Sequence, residues 1–155
     1  MLLSQIIKPQ AVRSIAQIDS KKRLLQEVSE IITIYKSDFS PSVAYDALMQ
    51  RESLGATGVG NGVAIPHARI AGLEKVIGAF FKLDKPMDFS SVDRKPVDLI
   101  FALFAPETAG VEHLKALALV SRTLRDDSIC SKLRANSNSS TMYAILTEKM
   151  ESKAA

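Results

Sequence analysis

The apolar positions of this chain change period several times, and each change marks an element. After Ser20, the residues Leu24, Val28, Ile31, Ile32 and Tyr35 fall at i, i+4, i+7, i+8 and i+11, the stripe of one amphipathic helix that Ser20 is placed to cap. Ser40-Pro41 offers a cap followed by a first-turn proline, and Val43, Ala44, Ala47 and Leu48 give one face of a second helix reaching about Arg51. Val76 to Leu83 and Val97 to Phe104 differ in kind. Both are short, nearly continuous apolar runs, bounded by Asp84-Lys85-Pro86 in one case and by Pro96 and Pro106 in the other. Runs of that kind read as strands covered on both faces, so helices must flank the sheet. A helix from about Gly110 to Arg125 supplies Leu114, Leu117, Ala118 and Leu124; a turn of helix follows at Ser128 to Arg134. A last helix, capped by Ser139 or Ser140, carries Met142, Ile145 and Leu146. Residues 1–19 hold Leu2-Leu3, Ile6-Ile7 and the stretch from Val12 to Ile18, enough for a turn of helix and a short edge strand. The sum is an α/β sandwich, a mixed sheet of about five strands between helices, forming one domain over residues 1–150 with a frayed tail at 151–155.

Composition excludes several classes. With 155 residues, 46% hydrophobic and 24% charged, the chain is globular and long enough for one core that buries about two thirds of its unfolded surface. The longest apolar run, Leu99 to Ala105, has seven residues, against about 20 for a membrane span. The amino terminus also lacks the long apolar centre of a secretory signal, so a cytoplasmic protein without membrane insertion is expected. Cys130 stands alone, which rules out an internal disulfide, and no Cys/His cluster has zinc spacing. The net charge of +3, from 20 basic and 17 acidic residues, is too small and scattered for a nucleic-acid footprint. Its densest run, Lys21-Lys22-Arg23, reads as a solvated helix start.

Four of the seven glycines (Gly55, Gly58, Gly60 and Gly62) lie within eight positions, followed by Val63-Ala64-Ile65 and then Pro66-His67. Glycine gathers where a backbone takes positive φ or passes close to another group. Pro66 fixes its own φ and holds Ile65 extended, so His67 is expected at the end of a short strand with little freedom. Two phosphate loops are excluded. A Walker A loop needs Lys-Ser/Thr where Val63-Ala64 stands, and the dinucleotide fingerprint must open a helix, whereas this run leads into a strand-like segment and a proline. A plain alternative remains, a tight turn followed by an ordinary surface histidine.

The second of the two histidines, His113, falls in the first turn of the helix after the strand ending near Phe104, where unpaired N–H groups and the macrodipole favour anions. Taken alone it is as well explained as a surface residue at a helix start; two histidines at predicted strand exits carry more weight together. Arg51, four residues before Gly55, can fold over the loop and offers a planar fork matched to phosphate oxygens. Thr57 and Asn61 can bond a phosphoryl oxygen, the imidazole or their own backbone, and Gly62 contributes to the loop's N–H groups. Arg69 reads as solvated. Glu112 is a conceivable partner for His113, or merely a carboxylate in a first turn.

The stretch from Arg51 to His67, Arg-Glu-Ser-Leu-Gly-Ala-Thr-Gly-Val-Gly-Asn-Gly-Val-Ala-Ile-Pro-His, resembles the active-site segment of phosphotransferase-system IIA proteins of the fructose/mannitol class. Its Gly-x-Gly-Asn-Gly-x-Ala-Ile-Pro-His form is most similar to their nitrogen-regulatory (PtsN-type) branch, and Lys95 to Leu103 and His113-Leu114 extend the likeness over nearly the whole chain. Many relatives have glycine where this chain has Ala68, which bears on the local backbone angle. The resemblance implies the fold of that class and a phosphotransferase component, a phosphohistidine carrier and not an enzyme turning over a small molecule. His67 would accept a phosphoryl group from a histidine phosphocarrier protein, His113 would assist as the second histidine, and Arg51 would stand beside the pair. Beside these, the loop's own chemistry makes Thr57, Asn61 and the Gly62 N–H the phosphoryl-binding candidates, and because donor and acceptor bonds are alike no metal or other cofactor is expected. The resemblance further implies regulated targets such as transporters or sensor kinases. Passage of the group to a IIB partner during sugar uptake, and a non-enzymatic binding module, remain alternatives. The oligomeric state, a homodimer included, and the ring nitrogen used are left open.

Overall fold

In the computed structural model, backbone is described for residues 1–154 and side chains for residues 1–148. The tail expected to fray at 151–155 falls outside the residues described in full. Among the described residues, six strands form one mixed sheet: β1 (Ile7–Ile15), β2 (Gly58–Gly60), β3 (Val63–Ala64), β4 (His67–Ile70), β5 (Ile77–Met87) and β6 (Val97–Pro106). Six helices accompany them: α1 (Lys21–Glu30), α2 (Ile32–Tyr35), α3 (Pro41–Ser53), α4 (Gly110–Leu124), α5 (Asp127–Arg134) and α6 (Ser139–Ala154), with a 3-10 turn at Leu3–Gln5 before β1.

The two apolar runs become the central antiparallel pair β5–β6, and their near-continuous burial requires cover on both faces. Two groups of helices provide it. One comprises α1, α2 and α3, packed on one another and on β4; the other comprises α4, α5 and α6, which touch β6, β5 and β1 respectively. The largest fully buried side chains include Phe80, Phe81, Phe89, Phe101 and Phe104. Burying one phenyl ring of this kind contributes about 2–3 kcal/mol. The edge strand β1 runs parallel to β5, with Val12 opposite Phe80 and Ile15 opposite Leu83.

One arrangement at the other side of β6 positions the site. β3 pairs Val63 with Leu99, and β4 pairs His67 with Leu103, both parallel to β6 and at the same offset of 36 residues. They are therefore one strand interrupted at Ile65-Pro66. Pro66 has no N–H to donate, yet its carbonyl accepts from the Leu103 N–H at 2.9 Å, so the register survives the proline. His67 thus does not end a strand, as the sequence suggested; it restarts one.

Several boundaries differ from the sequence reading for identifiable reasons. The first helix breaks at Ile31, where Ile31 N–H reaches Val28 and Ile34 N–H reaches Ile31, the tighter i−3 spacing, within a β-branched run poorly suited to helix. Tyr35 then ties α2 to the sheet: its hydroxyl donates to the Gly78 carbonyl at 2.6 Å and accepts from the Lys8 N–H at 2.9 Å. Burial pushes that phenol up to about 12. β5 continues through Asp84-Lys85-Pro86 because Met87 still pairs with Val97 and the Lys85 N–H reaches the Ala16 carbonyl. Ser20 does cap α1. Ser40 makes no cap, since its hydroxyl is shared with Ser42, and at α6 the first-turn N–H of Thr141 goes to the Asn138 side chain, not to Ser139 or Ser140.

Candidate functional site

The glycines build a hairpin. β2 and β3 pair antiparallel around Asn61-Gly62, whose φ values of 56° and 78° are both positive, the combination a two-residue hairpin turn demands. At Gly62 a Cβ would lie 2.6 Å from Arg134 Nη2 and 2.9 Å from Asp98 Oδ1. At Gly58 it would lie 2.8 Å from Ser91 Cβ, so this glycine is required by close approach and not by backbone angle. The tip is held from outside: the Asn61 N–H donates to Asp93, and the Asn61 carbonyl accepts from Arg134, which also pairs with Asp98 through two nitrogens at 2.9 Å. The Gly62 carbonyl accepts from Asp98 and Leu99 at the start of β6, whereas His67 faces Leu103. Four strand residues separate the two levels, about 13 Å. The structure therefore does not bring Asn61 and Gly62 beside the imidazole.

It does bring the two histidines together. The rings of His67 and His113 lie 5.5 Å apart, centre to centre, at 74° to one another. His67 is half-buried, and its Nδ1 is 2.8 Å from the carbonyl oxygen of Ile65, two residues back across Pro66. A carbonyl can only accept, so Nδ1 carries the ring proton and the lone pair is at Nε2. His113, only 6% exposed, sits in the first turn of α4. Its Nδ1 accepts from Nε of Arg69 at 3.3 Å, and its buried Nε2 has no partner among the described residues. Burial lowers the pKa of both rings. For His67 the Ile65 bond opposes burial and the Arg51 charge adds to it; His113 is driven down to about 4, with His67 and Arg69 as further causes. Both rings are neutral at pH 7.

Arg51, in the last turn of α3, donates to the Gly55 carbonyl at 2.9 Å and lies close enough to act on the charge of His67. Thr57 is buried, and its hydroxyl and N–H both go to the Glu52 carboxylate, so its side chain is engaged away from any ligand. The Glu52 side chain is itself 5% exposed and pairs with Lys21 at 2.6 Å; Lys21 also reaches the Phe89 carbonyl and lies 4.4 Å from the centre of the Phe89 ring. Glu112 turns to Lys115 at 3.8 Å rather than to His113. Three contributors escaped the sequence reading: Arg69, Glu52 and Lys21. Arg69 carried a signal, since residues i and i+2 of a strand share a face and His67 and Arg69 are so spaced. Nothing in the sequence connects Lys21 with Glu52, because that pairing depends on how α1 crosses α3. Leu54, the residue directly after α3, and Val111 and Leu114 on α4 stand 82%, 65% and 66% exposed.

The geometry offers one nucleophilic nitrogen, one unpartnered N–H donor and two arginines, the equipment for holding and transferring an anionic group. No three His, Cys, Asp or Glu side chains among the described residues are grouped to hold a metal ion. None of the helices described there is long and apolar enough to cross a membrane.

The chain is 44% identical over 146 residues to a nitrogen regulatory protein of Bradyrhizobium diazoefficiens, covering 94% of this chain and 95% of that protein. A nitrogen regulatory protein of Escherichia coli K12 is 38% identical over 147 residues, with 94% and 90% covered. The crystal structure of nitrogen regulatory protein IIA-Ntr from Neisseria meningitidis superposes with a TM-score of 0.86 at 37% identity, covering 94% of this chain and 99% of the other. IIA mannitol from Escherichia coli, at 17% identity and a TM-score of 0.75 over 90% of this chain and 98% of its own, shares the fold. Residues 5–149 match the family described as phosphoenolpyruvate-dependent sugar phosphotransferase system, EIIA 2, and the chain belongs to it, alongside relatives named as nitrogen regulatory proteins.

Proposed function

We propose that this protein is a cytoplasmic phosphoryl carrier of a nitrogen-type phosphotransferase system, which accepts a phosphoryl group on Nε2 of His67 from a histidine phosphocarrier protein and controls target proteins by its phosphorylation state. The observation that carries this reading is the fixed tautomer of His67, with its lone pair at Nε2, beside the unpartnered Nε2–H of His113.

The chemistry balances simply. The Nε2 lone pair forms the new N–P bond as the donor's N–P bond breaks in line, and that electron pair returns to the donor imidazole. The proton on Nδ1 stays where it is, bonded to the Ile65 carbonyl, so the phosphorylated His67 ring is an imidazolium, and the donor ring, protonated on its other nitrogen, leaves as a neutral imidazole. Bonds made and broken are alike, so the energy gap is small and the protein has only to position the ring and supply donors for charge spreading over the phosphoryl oxygens. His113 provides one N–H, and Arg51 provides positive charge beside His67. The hairpin's contribution is rigidity, and Asn61, Gly62 and Thr57 act through the scaffold. Leu54, Val111 and Leu114 give the rim an apolar surface on which a carrier protein can dock.

Incubation with a phosphoenolpyruvate-driven relay should add one acid-labile phosphoryl group, absent from His67→Ala and seen by mass spectrometry. An acid-stable ester on serine, or a phosphoryl group retained by His67→Ala, overturns the reading. His113→Ala should slow acceptance by about 10²-fold, the cost of one such donor. A second reading, transfer onward to a IIB partner in sugar uptake, is favoured by a fructose-specific EIIA component of Haloferax volcanii, 36% identical over 108 residues and 70% of each chain. Release of label from phosphorylated protein to a IIB domain tests it.

A further inference from the structure

The site contains an exposed arginine bonded to a buried ring, and the direction of that bond has a chemical consequence. Arg69 Nε lies 3.3 Å from His113 Nδ1. A guanidinium has N–H donors and no acceptor, and it keeps its charge at any pH the protein survives. His113 Nδ1 must therefore present its lone pair, which leaves the ring proton on Nε2. That nitrogen is buried and has no partner among the described residues, while the His67 ring stands 5.5 Å away in an edge-to-face arrangement. A buried N–H without an acceptor is costly, and its presence beside a nucleophilic nitrogen marks the place where an acceptor arrives.

We propose that Arg69 is a positioning residue, which locks His113 in its Nε2–H tautomer so that an N–H donor, and not a lone pair, faces the phosphoryl group on His67. This deepens the carrier reading above and rests on it for the identity of the acceptor. In the opposite tautomer the Nε2 lone pair would face phosphoryl oxygens, and an assisting ring would become a repelling one. The Arg69 charge also opposes protonation of His113, so the donor is set by tautomer alone and needs no added proton. His67 and Arg69 project from one face of β4, two residues apart, so the strand that presents the acceptor ring also orients its helper. Lysine would keep a charge here but not the planar geometry of the fork.

The test reads ring nitrogens directly. In 15N-labelled protein, long-range proton–nitrogen correlation distinguishes the two His113 tautomers, and the comparison is between the parent, Arg69→Met and Arg69→Lys. The parent should show a single Nε2–H form. Arg69→Met should show mixed tautomers at His113 while His67 keeps its Nδ1–H pattern and the denaturation midpoint is unmoved. In the same variant, acceptance from a phosphorylated donor should slow by about tenfold, the worth of one charge-assisted hydrogen bond; Arg69→Lys should recover part of both. A single Nε2–H tautomer in Arg69→Met, or mixed tautomers with the parental rate, overturns the proposal. The spectra are recorded on unphosphorylated protein. Should the parent accept no phosphoryl group at all, the carrier reading fails while the tautomer comparison still decides what Arg69 does.

Discussion

Two neutral imidazoles in one half-buried cleft make the site a device for keeping protons off. An ordinary histidine is half protonated near pH 6.5; burial moves His67 below that and His113 to about 4. Phosphoryl acceptance should therefore lose less of its rate as pH falls from 7 to about 6.5 than a solvent-exposed imidazole, which has lost half its nucleophile there, and a pH–rate profile of single-turnover transfer checks this. The same shift links stability to pH. Between about pH 4 and 6.5 the unfolded chain binds a proton at His113 that the folded chain does not, so stability contributed by this group is intact above 6.5 and declines as pH falls towards 4. Urea midpoints measured across that window should fall more steeply for the parent than for His113→Gln. Equal slopes would show that His113 does not titrate as its burial demands. Ala68, where many relatives carry glycine, lies in β4 opposite Phe104 without positive φ, so alanine fits there unstrained.

At the scale of elements, the hairpin and the clamp behind it do different work. Gly58→Ala should cost about 1–3 kcal/mol by overpacking, since the added carbon meets Ser91 at backbone distance and cannot be relieved by a swinging side chain; thermal or urea unfolding measures it. Glu52→Gln leaves the Lys21 charge without its partner and weakens the bonds to Thr57, at a cost of about 1–3 kcal/mol. It should also slow transfer, because Glu52 anchors the stretch between Arg51 and the hairpin; a variant unfolding as readily as the parent would mean that the clamp is idle. Much of this layer was legible in advance. The glycine cluster, Pro66-His67 and the apolar runs declared a turn, a presented ring and a buried sheet from local chemistry. What escaped were facts of pairing: that β4 resumes the register of β3, that β5 persists through a polar triplet, and that Asn61 and Gly62 lie at the far level of β6. Each depends on a partner strand distant in sequence, and no local period reports it. Arg69 fell between these cases, visible in the alternation of a strand whose existence the preceding proline concealed.

For the whole molecule, the mixed sheet between two helical groups follows from the burial of β5 and β6 on both faces, which the sequence already required. The scaffold it makes is stiff where it matters. His67 is backed by a strand pair, its ring is tied to its own backbone, and Leu103 is held by the Pro66 carbonyl beside it. On the carrier reading, a ring so seated leaves little to rearrange when it gains a phosphoryl group, whose oxygens carry about −1.5 to −2 charges, offset in part by the positive ring that keeps its Nδ1 proton. Any protein that tells the two forms apart must then sense voltage rather than outline. Its discrimination should fade as salt rises towards a Debye length of about 3 Å at 1 M, and the two forms should give nearly superimposable scattering profiles.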